Sequence, residues 1–460
     1  MTRPTLAVLA AAAFPFAAFP LAAGAQEAPP PGEVPLIAEL AAAPSAARIE
    51  ADIRRLAGFG TRHTLSDTES DTRGIGAARR WIEDEFNRIS AECGGCLEVF
   101  TVSGFVEGEE RVPDRTEIVN VVALQRGTLD PDRIIAMSGD IDSRVSDVMN
   151  FTDDSPGAND NASGVAGVLE AARILSRHEF AGTIGYFALS GEEQGLYGGE
   201  ILAAYALEQG WNVAGVLNND MIGNSRGIDG VVDNSTARVF SEGTRAVETD
   251  EEARERRFEG GEVDSASRNL ARYADRMADL YVPNLDVMMI YRLDRFGRGG
   301  HHRPFNDAGM PGVRIMETHE DYRRQHQDIR VEDGVEYGDV VEVVDFDYAA
   351  KLTGLNIAVL AGIAGAPPIP ADVAIAGEVS PDTTLSWTQA AGPEAANLAG
   401  YRVHWRLTTE PQWQWSRWAG KTDSYTLPNI VIDNYLFGVS AVSTDGYETP
   451  VVFPGAAGAF

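Results

Sequence analysis

Cysteine, lysine and positive charge are scarce in this chain of 460 residues. Its two cysteines exclude a four-cysteine zinc site and the dense disulfide framework of small secreted domains. There are 38 Lys and Arg residues against 69 Asp and Glu, so the formal net charge is −31. A nucleic acid is therefore not an expected partner, because its phosphates would be repelled and the sequence has no segregated basic patch.

Long apolar runs are also missing beyond the N-terminus, where no segment reaches the ~20 uninterrupted apolar residues of a membrane span. The N-terminus itself carries Arg3, an apolar stretch over 6–23 and the small residues Ala23-Gly24-Ala25. This pattern predicts a signal peptide at 1–25, whereas a retained anchor fits poorly because Pro20 interrupts a short apolar core. We expect a periplasmic or secreted protein with no membrane span after cleavage.

The rest of the chain divides by composition. A Pro-rich lead-in covers 26–35, alternating strand and helix patterns occupy 36–365, and a Pro-containing linker at 366–371 leads to a β-rich tail at 372–460. The alternation predicts an α/β fold with a mainly parallel sheet, and the short strands of the tail predict a small β-sandwich. The Glu- and Arg-rich stretch 242–279 is expected to be an inserted, solvated helical region.

Acidic clusters stand at the ends of predicted strands and at the start of a helix. They are Asp140 and Asp142 after the strand at 134–137, Glu192 and Glu193 after 183–189, Asp220 after 213–217, and Asp160 before the helix at 165–175. Ligands of open α/β sheets bind at the carboxyl ends of the strands, so we expect these clusters to converge at one edge.

Converging carboxylates need a cation, because like charges a few ångströms apart cannot all stay ionised. A bound divalent metal ion satisfies this need. Glu192 and Glu193 are adjacent and leave the strand in different directions, so one can bind metal while the other faces a water. A lone Asp at a strand end is usually a cap or loop residue, but four clusters together favour a metal site.

These residues resemble the co-catalytic zinc aminopeptidases related to bacterial leucyl aminopeptidase, aminopeptidase Y, glutamate carboxypeptidase and glutaminyl cyclase. The resemblance covers about residues 50–365. Its motifs are Phe59–Thr64, Gly157–Gly164, Ser190–Leu196, Asn219-Asp220, Gly299–Phe305, and Glu320-Asp321-Tyr322 followed by His326. It implies the α/β/α sandwich of zinc exopeptidases and a peptide substrate.

The resemblance also implies roles for individual residues. Asp160 would bridge two divalent ions, zinc in the family, with Glu193 and His326 completing one site and Asp220 belonging to the other. Glu192 matches the general base of the family.

Two departures from the family pattern stand out. Where the family has His-x-Asp after the strand, this chain has Asp140-Ile141-Asp142, so a carboxylate replaces an imidazole ligand. A site of Asp140, Asp160 and Asp220 offers only oxygen ligands, which admits manganese or magnesium. Where the family shows Asp-His before Pro-Phe, the chain has His301-His302. One hypothesis is that His301 or His302 returns an imidazole or a charge partner for Asp140; the alternative is independent drift.

The remaining candidates have weaker support. Tyr322 could steady an oxyanion or merely pack near His326, and Asp142 is expected to orient a neighbouring loop or ligand rather than bind metal. Arg62 and His63 are expected to be structural.

Cys93 and Cys96 are expected to form a disulfide loop, because an exported chain meets an oxidising compartment; a thioredoxin-like redox motif is the alternative. The tail resembles a fibronectin type III module. Core packing accounts for Trp387 and Trp405, whereas a surface that binds a glycan or protein ligand could be built on the remaining tryptophans of the tail, Trp413, Trp415 and Trp418.

Three functions follow from the sequence. The favoured one is an exported, metal-dependent aminopeptidase. Carboxypeptidase or glutaminyl-cyclase-like chemistry on the same fold is the second, and the resemblance implies that the cyclases use a single metal ion. The third is a non-catalytic homologue that binds metal, against which the presence of Glu192 argues.

Overall fold

The computed structural model describes residues 28–460, so the signal peptide predicted at 1–25 lies outside the described residues. The helices are α1 (Pro35–Ala41), α2 (Ala46–Ala57), α3 (Gly74–Glu92), α4 (Ala162–Leu175), α5 (Glu192–Gly195), α6 (Tyr197–Glu208), α7 (Asp250–Glu259), α8 (Ala266–Tyr281), α9 (His302–Asp307) and α10 (Phe346–Gly365). The strands up to α10 are β1 (Leu97–Val106), β2 (Thr116–Gln125), β3 (Asp130–Asp140), β4 (Gly182–Leu189), β5 (Asn212–Asn219), β6 (Thr236–Ser241), β7 (Asp286–Ile290), β8 (Gly312–Glu317), β9 (Arg330–Glu332) and β10 (Val335–Tyr337). Those of the tail are β11 (Ala371–Ala376), β12 (Thr383–Thr388), β13 (Leu398–Leu407), β14 (Trp415–Gly420), β15 (Ser424–Leu427) and β16 (Tyr435–Ser443).

The centre of the fold is an eight-stranded sheet in the order β1-β2-β4-β3-β5-β8-β6-β7. Its four middle strands run parallel and contain the apolar runs at 134–137, 183–189, 213–217 and 313–316. The mainly parallel sheet predicted from those runs is therefore confirmed. Asp140 lies opposite Leu189, and Gly139 opposite Asn219, which brings the carboxyl ends of β3, β4 and β5 to one edge.

Both faces of this sheet are covered. Ile135 and Met137 of β3 point into a core that includes residues of α3, α4, α8 and α10, whereas Ile134 and Ala136 point into a second core with α6 and Phe305 of α9. The alternation along one strand shows that helices pack on both sides, because successive side chains leave a strand on opposite faces. This arrangement is the expected α/β/α sandwich.

One helix of the described residues, α10, is long and apolar enough to cross a membrane by length and composition. Its most apolar window is 89% buried inside the protein. It packs against α1, α2, α4 and α8, so its apolar character is that of a core helix.

The prediction of a solvated helical region at 242–279 is correct for α7 and wrong for α8. Helix α7 has no buried residues, as a solvated helix should, but α8 is buried along most of its length. Arg268 and Arg272 of α8 are 2% and 1% exposed. Their charges are accommodated by partners from other parts of the chain, which a composition argument cannot detect.

The tail forms two small antiparallel sheets, β11-β12-β15 and β14-β13-β16, which share one apolar core. Trp387 and Trp405 lie in that core, as expected. Trp413 packs instead against Arg272 and Arg406, with guanidinium carbons 5.9 and 5.3 Å from its ring centroid. It lies at the junction with α8, and the binding surface predicted on Trp413, Trp415 and Trp418 stays a prediction. The resemblance to a fibronectin type III module stays a prediction.

The tail and the α/β unit are joined by a buried ion triad. Asp264, which precedes α8, lies 2.9 Å from Nη1 of Arg272 on α8 and accepts two hydrogen bonds, of 2.7 and 2.9 Å, from Nη2 of Arg406 on β13. All three side chains are at most 1% exposed. Elsewhere, Cys93 and Cys96 form the predicted disulfide after α3.

Candidate metal centre

The acidic clusters meet at the carboxyl edge of the sheet. Asp140 ends β3, Asp220 follows β5 directly, and Asp160 lies just before α4. Gly191, at a φ of +76° that favours glycine, turns the chain sharply after β4 so that α5 begins with Glu192 and Glu193. His326 comes from the loop after β8.

Three of the predicted ligands form one compact cluster. Nε2 of His326 lies 2.9 Å from Oδ2 of Asp160 and 2.9 Å from Oε1 of Glu193. Within residues 28–460 this is the one group of three or more metal-ligating side chains whose ligand atoms lie within 4.8 Å of one another. Burial opposes ionisation of Asp160, but the neighbouring His326 lowers its pKa, so the carboxylate stays charged.

Glu192 stands beside this cluster and is half-buried. Burial raises its pKa well above the ordinary value, and the nearby carboxylates of Asp220 and Glu193 raise it further. Such a carboxylate binds a proton readily, which is the property a general base needs. Asp142 fixes the turn that carries it by accepting hydrogen bonds from the backbone N–H groups of Glu192 and Glu193, at 3.2 and 3.0 Å.

Asp140 is not part of this compact group and is paired with other side chains. Its Oδ1 lies 2.5 Å from Nδ1 of His301, and its Oδ2 accepts a 2.7 Å hydrogen bond from Nδ2 of Asn161. The side chain is 2% exposed and does not line the cleft. Metal binding by Asp140 stays a prediction, and the contact with His301 agrees with the hypothesis that His301 is its charge partner.

Asp220 lines the cleft and is already paired with a buried arginine. Nη2 of Arg314 lies 2.7 Å from its Oδ2, and Arg314 is fully buried on β8. The other oxygen, Oδ1, is buried and has no hydrogen-bond partner among the described residues. Asp220 therefore lines the cleft with one carboxylate oxygen paired to Arg314 and the other buried.

The cleft itself has a volume of about 490 Å³ and is lined by both signs of charge. Its acidic residues are Asp160, Glu192, Glu193, Glu200, Asp220 and Asp307. Its arginines are Arg111, Arg144, Arg295, Arg298 and Arg303. Three of these arginines are already paired with acidic side chains, Arg144 with Glu193, and Arg295 and Arg298 with Glu320.

Comparison with known proteins identifies the family. The model for peptidase family M28 matches residues 120–337. A probable zinc metalloprotease of Pyricularia oryzae is 46% identical over 413 residues, which cover 89% of this chain and 82% of that protein. A second, from Leptosphaeria maculans, is 44% identical over 89% of this chain and 94% of its own. This chain belongs to peptidase family M28.

Solved structures support the M28 fold at lower identity. The LapA aminopeptidase of Legionella pneumophila superposes with a TM-score of 0.52 at 18% identity, over 76% of this chain and 77% of that one. LapB of the same organism gives 0.53 at 18% identity, over 72% and 76%. The chain is thus an M28 metallopeptidase, a hydrolase whose curated relatives are named as probable zinc enzymes.

The ligand atoms of the Asp160, Glu193 and His326 cluster are of the kinds that bind zinc. Carboxylate oxygens and imidazole nitrogens are both zinc ligands, and a catalytic zinc site has three protein ligands and a further position open for water or substrate. Asp160, Glu193 and His326 are the residues that would hold the ion. Each of them also has a supporting contact.

These supporting residues were not found from the sequence. Arg144 donates a 2.8 Å hydrogen bond from Nε to Glu193, and its Nη2 lies 2.6 Å from Nδ1 of His326. Gln325 donates to Oδ2 of Asp160 at 3.1 Å, and the carboxylate of Asp339 accepts from the backbone N–H of Asp160 at 2.7 Å. Gln325 precedes a predicted ligand and could have been suspected, but Arg144 and Asp339 had no sequence signal.

The other candidates lie outside the cluster. The Nε2 atom of His302 faces the backbone carbonyl of Leu293 at 2.7 Å, so this ring turns away from the cleft. Tyr322 is 54% exposed and is not among the residues that line the cleft. Arg62 is 1% exposed and donates to backbone carbonyls, including that of Gly157, which agrees with a structural role.

Proposed function

We propose that this M28 metallopeptidase is an exported aminopeptidase that removes N-terminal residues from peptides. The observation that carries the proposal is the position of Glu192, a carboxylate with a raised pKa, beside the Asp160, Glu193 and His326 cluster in an open cleft. A ligand set and a base side by side are what hydrolysis of a peptide bond requires.

A divalent ion bound by these three residues would supply Lewis-acid polarisation of the scissile carbonyl and lower the pKa of water. Glu192 accepts the proton of the attacking water and passes it to the leaving amine. Asp142 keeps Glu192 in place through the backbone of α5. The two-ion mechanism that the resemblance implies would place a further ion at Asp140 and Asp220.

The acidic part of the cleft favours action at the N-terminus. Burial raises the pKa of Glu192 well above its ordinary value, and repulsion by the carboxylates of Asp220 and Glu193 raises it further. The α-ammonium group of a peptide would relieve that repulsion at Glu192, which lines the cleft. A peptide with a blocked N-terminus lacks this interaction.

A second candidate is carboxypeptidase chemistry, which Arg303 favours. Among the described residues the Arg303 side chain has no ion pair, and its Nε is buried without a hydrogen-bond partner, although it lines the cleft. A free guanidinium in a cleft is suited to a carboxylate, which it can bind with two parallel hydrogen bonds. The C-terminus of a peptide offers such a carboxylate.

The experiment that separates these functions uses one peptide in three forms: free at both ends, N-acetylated, and C-amidated. The zinc-loaded mature protein is incubated with each, and the products are identified by mass spectrometry. We expect single residues to leave the free and amidated peptides from the N-terminus, and the acetylated peptide to stay intact. Release from the C-terminus that amidation blocks would establish the second candidate instead.

Export is part of the proposal. The disulfide between Cys93 and Cys96 supports it, because such bonds persist in oxidising compartments. The expected result is mature protein in the periplasm or medium whose N-terminal sequence begins near Gln26. Protein retained in the cytoplasm with residues 1–25 still attached would contradict it.

A further inference from the structure

We propose that the chain holds a single metal ion, at Asp160, Glu193 and His326, and that Arg314 supplies the positive charge that a second ion would supply. The inference rests on the proposed metallopeptidase function and concerns the two residues on which the second ion depends, Asp140 and Asp220. Each of them has a partner of its own within the protein.

Asp140 is committed to a buried acid–imidazole pair. Both of its oxygens have donors or ring nitrogens within hydrogen-bond distance, 2.5 Å to Nδ1 of His301 and 2.7 Å to Nδ2 of Asn161. Asn161 is itself fixed, because its amide also caps α4 through the N–H of Gly164 and donates to the carbonyl of Asn219. An aspartate is also shorter than the histidine that the family carries at this position, so it extends less far from the strand.

The two departures from the family pattern form one exchange. The family has an imidazole at position 140 and a carboxylate at position 301, whereas this chain has the reverse. Either change alone would bury two carboxylates or two imidazoles against each other, since both side chains are at most 2% exposed. With both changes the pair still consists of one carboxylate and one imidazole, but the imidazole is now at position 301, where it contacts Asp140. This explains why both changes occur together.

The charge of Asp220 is compensated by the guanidinium group of Arg314. Arg314 lies 2.7 Å from Oδ2 of Asp220 and is held in place by three further acceptors: the backbone carbonyl of Asp220 at 2.7 Å, the carboxylate of Asp294 at 3.1 Å and the carbonyl of Gly299 at 2.5 Å. A guanidinium anchored this way cannot move aside. It repels a divalent cation at Asp220. Its positive charge also compensates the carboxylate of Asp220, so a metal ion is not needed for that purpose.

The test is the number of zinc ions bound per chain, measured by elemental mass spectrometry on the full mature protein after zinc loading and gel filtration. We expect one ion for the natural chain and none for His326→Ala. We expect Asp140→Asn still to bind one ion, because the amide can accept from Asn161 while it donates to His301. The matched control is Asp71→Asn, at a side chain that is 93% exposed, which should also bind one.

A two-ion site gives different counts: two ions for the natural chain, the loss of one of them in Asp140→Asn, and a remaining ion in His326→Ala. Those counts would overturn the single-ion inference while leaving the proposed function intact. No zinc in the natural chain, with no peptide hydrolysis, would overturn the proposed function itself. The three outcomes are distinguishable in one series of measurements.

A gain of binding provides a second test. The double substitution Asp140→His with His301→Asp restores the order of the family and keeps the buried acid–imidazole pair. We expect its second ion to bind far more weakly than in a family site, because Arg314 remains, so the count at micromolar zinc stays at one. Adding Arg314→Met is expected to raise the count to two. A count of one for the triple variant, with its melting transition preserved, would refute the role given to Arg314.

Discussion

The buried triad of Asp264, Arg272 and Arg406 offers a demanding test of how the tail is attached to the α/β unit. The substitution Asp264→Asn is nearly isosteric, so it changes charge without opening a cavity. It leaves two arginines, each 1% exposed, facing a neutral amide. The change therefore isolates the electrostatic part of the junction.

The expected cost follows from this burial. Removing one partner from a buried ion pair typically costs about 3–5 kcal/mol, because the remaining charge is left without compensation. Arg272 keeps acceptors besides Asp264, including the carbonyls of Val263 and Pro411, and Arg406 keeps that of Glu410. These bonds lower the cost, so we expect a loss near the lower end, about 3 kcal/mol.

The assay is urea unfolding followed by far-UV circular dichroism and by tryptophan fluorescence, since five of the seven tryptophans lie in the tail. We expect the tail signal to unfold at lower urea in Asp264→Asn. The matched control is Glu50→Gln, which breaks an exposed pair with Arg54 and should cost well under about 1 kcal/mol. Equal, small losses for the two variants would refute the assigned importance of the triad.

Three further predictions concern catalysis and stability. Glu192→Gln should lower kcat by about 10²- to 10⁴-fold with zinc content unchanged; a rate within a few-fold of the natural enzyme would show that another group is the base. Removal of zinc by a chelator should lower the melting temperature, because an ion present at 1,000 times its Kd stabilises the folded state by about 4 kcal/mol; an unchanged melt would mean that no ion is held. Burial raises the pKa of Glu242 from 4.5 to about 7, so the folded state binds more protons than the unfolded state and stability falls as pH rises between these values. In Glu242→Gln the free energy of unfolding should decrease by up to about 3 kcal/mol less over this pH range. Parallel stability–pH curves for the two proteins would contradict the assignment.

Much of the fold could be predicted from local patterns. Buried parallel strands appear as continuous apolar runs, so β3, β4, β5 and β8 were visible in the sequence. The same topology rule brought their acidic ends to one edge, where Asp160, Glu193 and His326 now meet. The helix after Asp160 and the disulfide after α3 were also recognisable.

The parts that could not be predicted depend on contacts between distant segments. Arg314 lies inside an apolar strand and nothing in its neighbourhood of the sequence pairs it with Asp220, 94 residues away. Arg144 likewise supports His326 across 182 residues. Helix α8 was expected to be solvated because its arginines are charged, yet their partners, Asp264 and the backbone of the tail, allow them to be buried. Composition gives the charge of a residue but not its partner.

The most direct test of the central claim is an anomalous difference map at the zinc absorption edge, from crystals of the mature protein grown with zinc and without chelator. The account predicts a peak within coordination distance of Asp160, Glu193 and His326, with Glu192 facing it. The absence of a peak among these three side chains, or a stronger one elsewhere in the cleft, would contradict the assignment of this cluster as the metal centre of the peptidase.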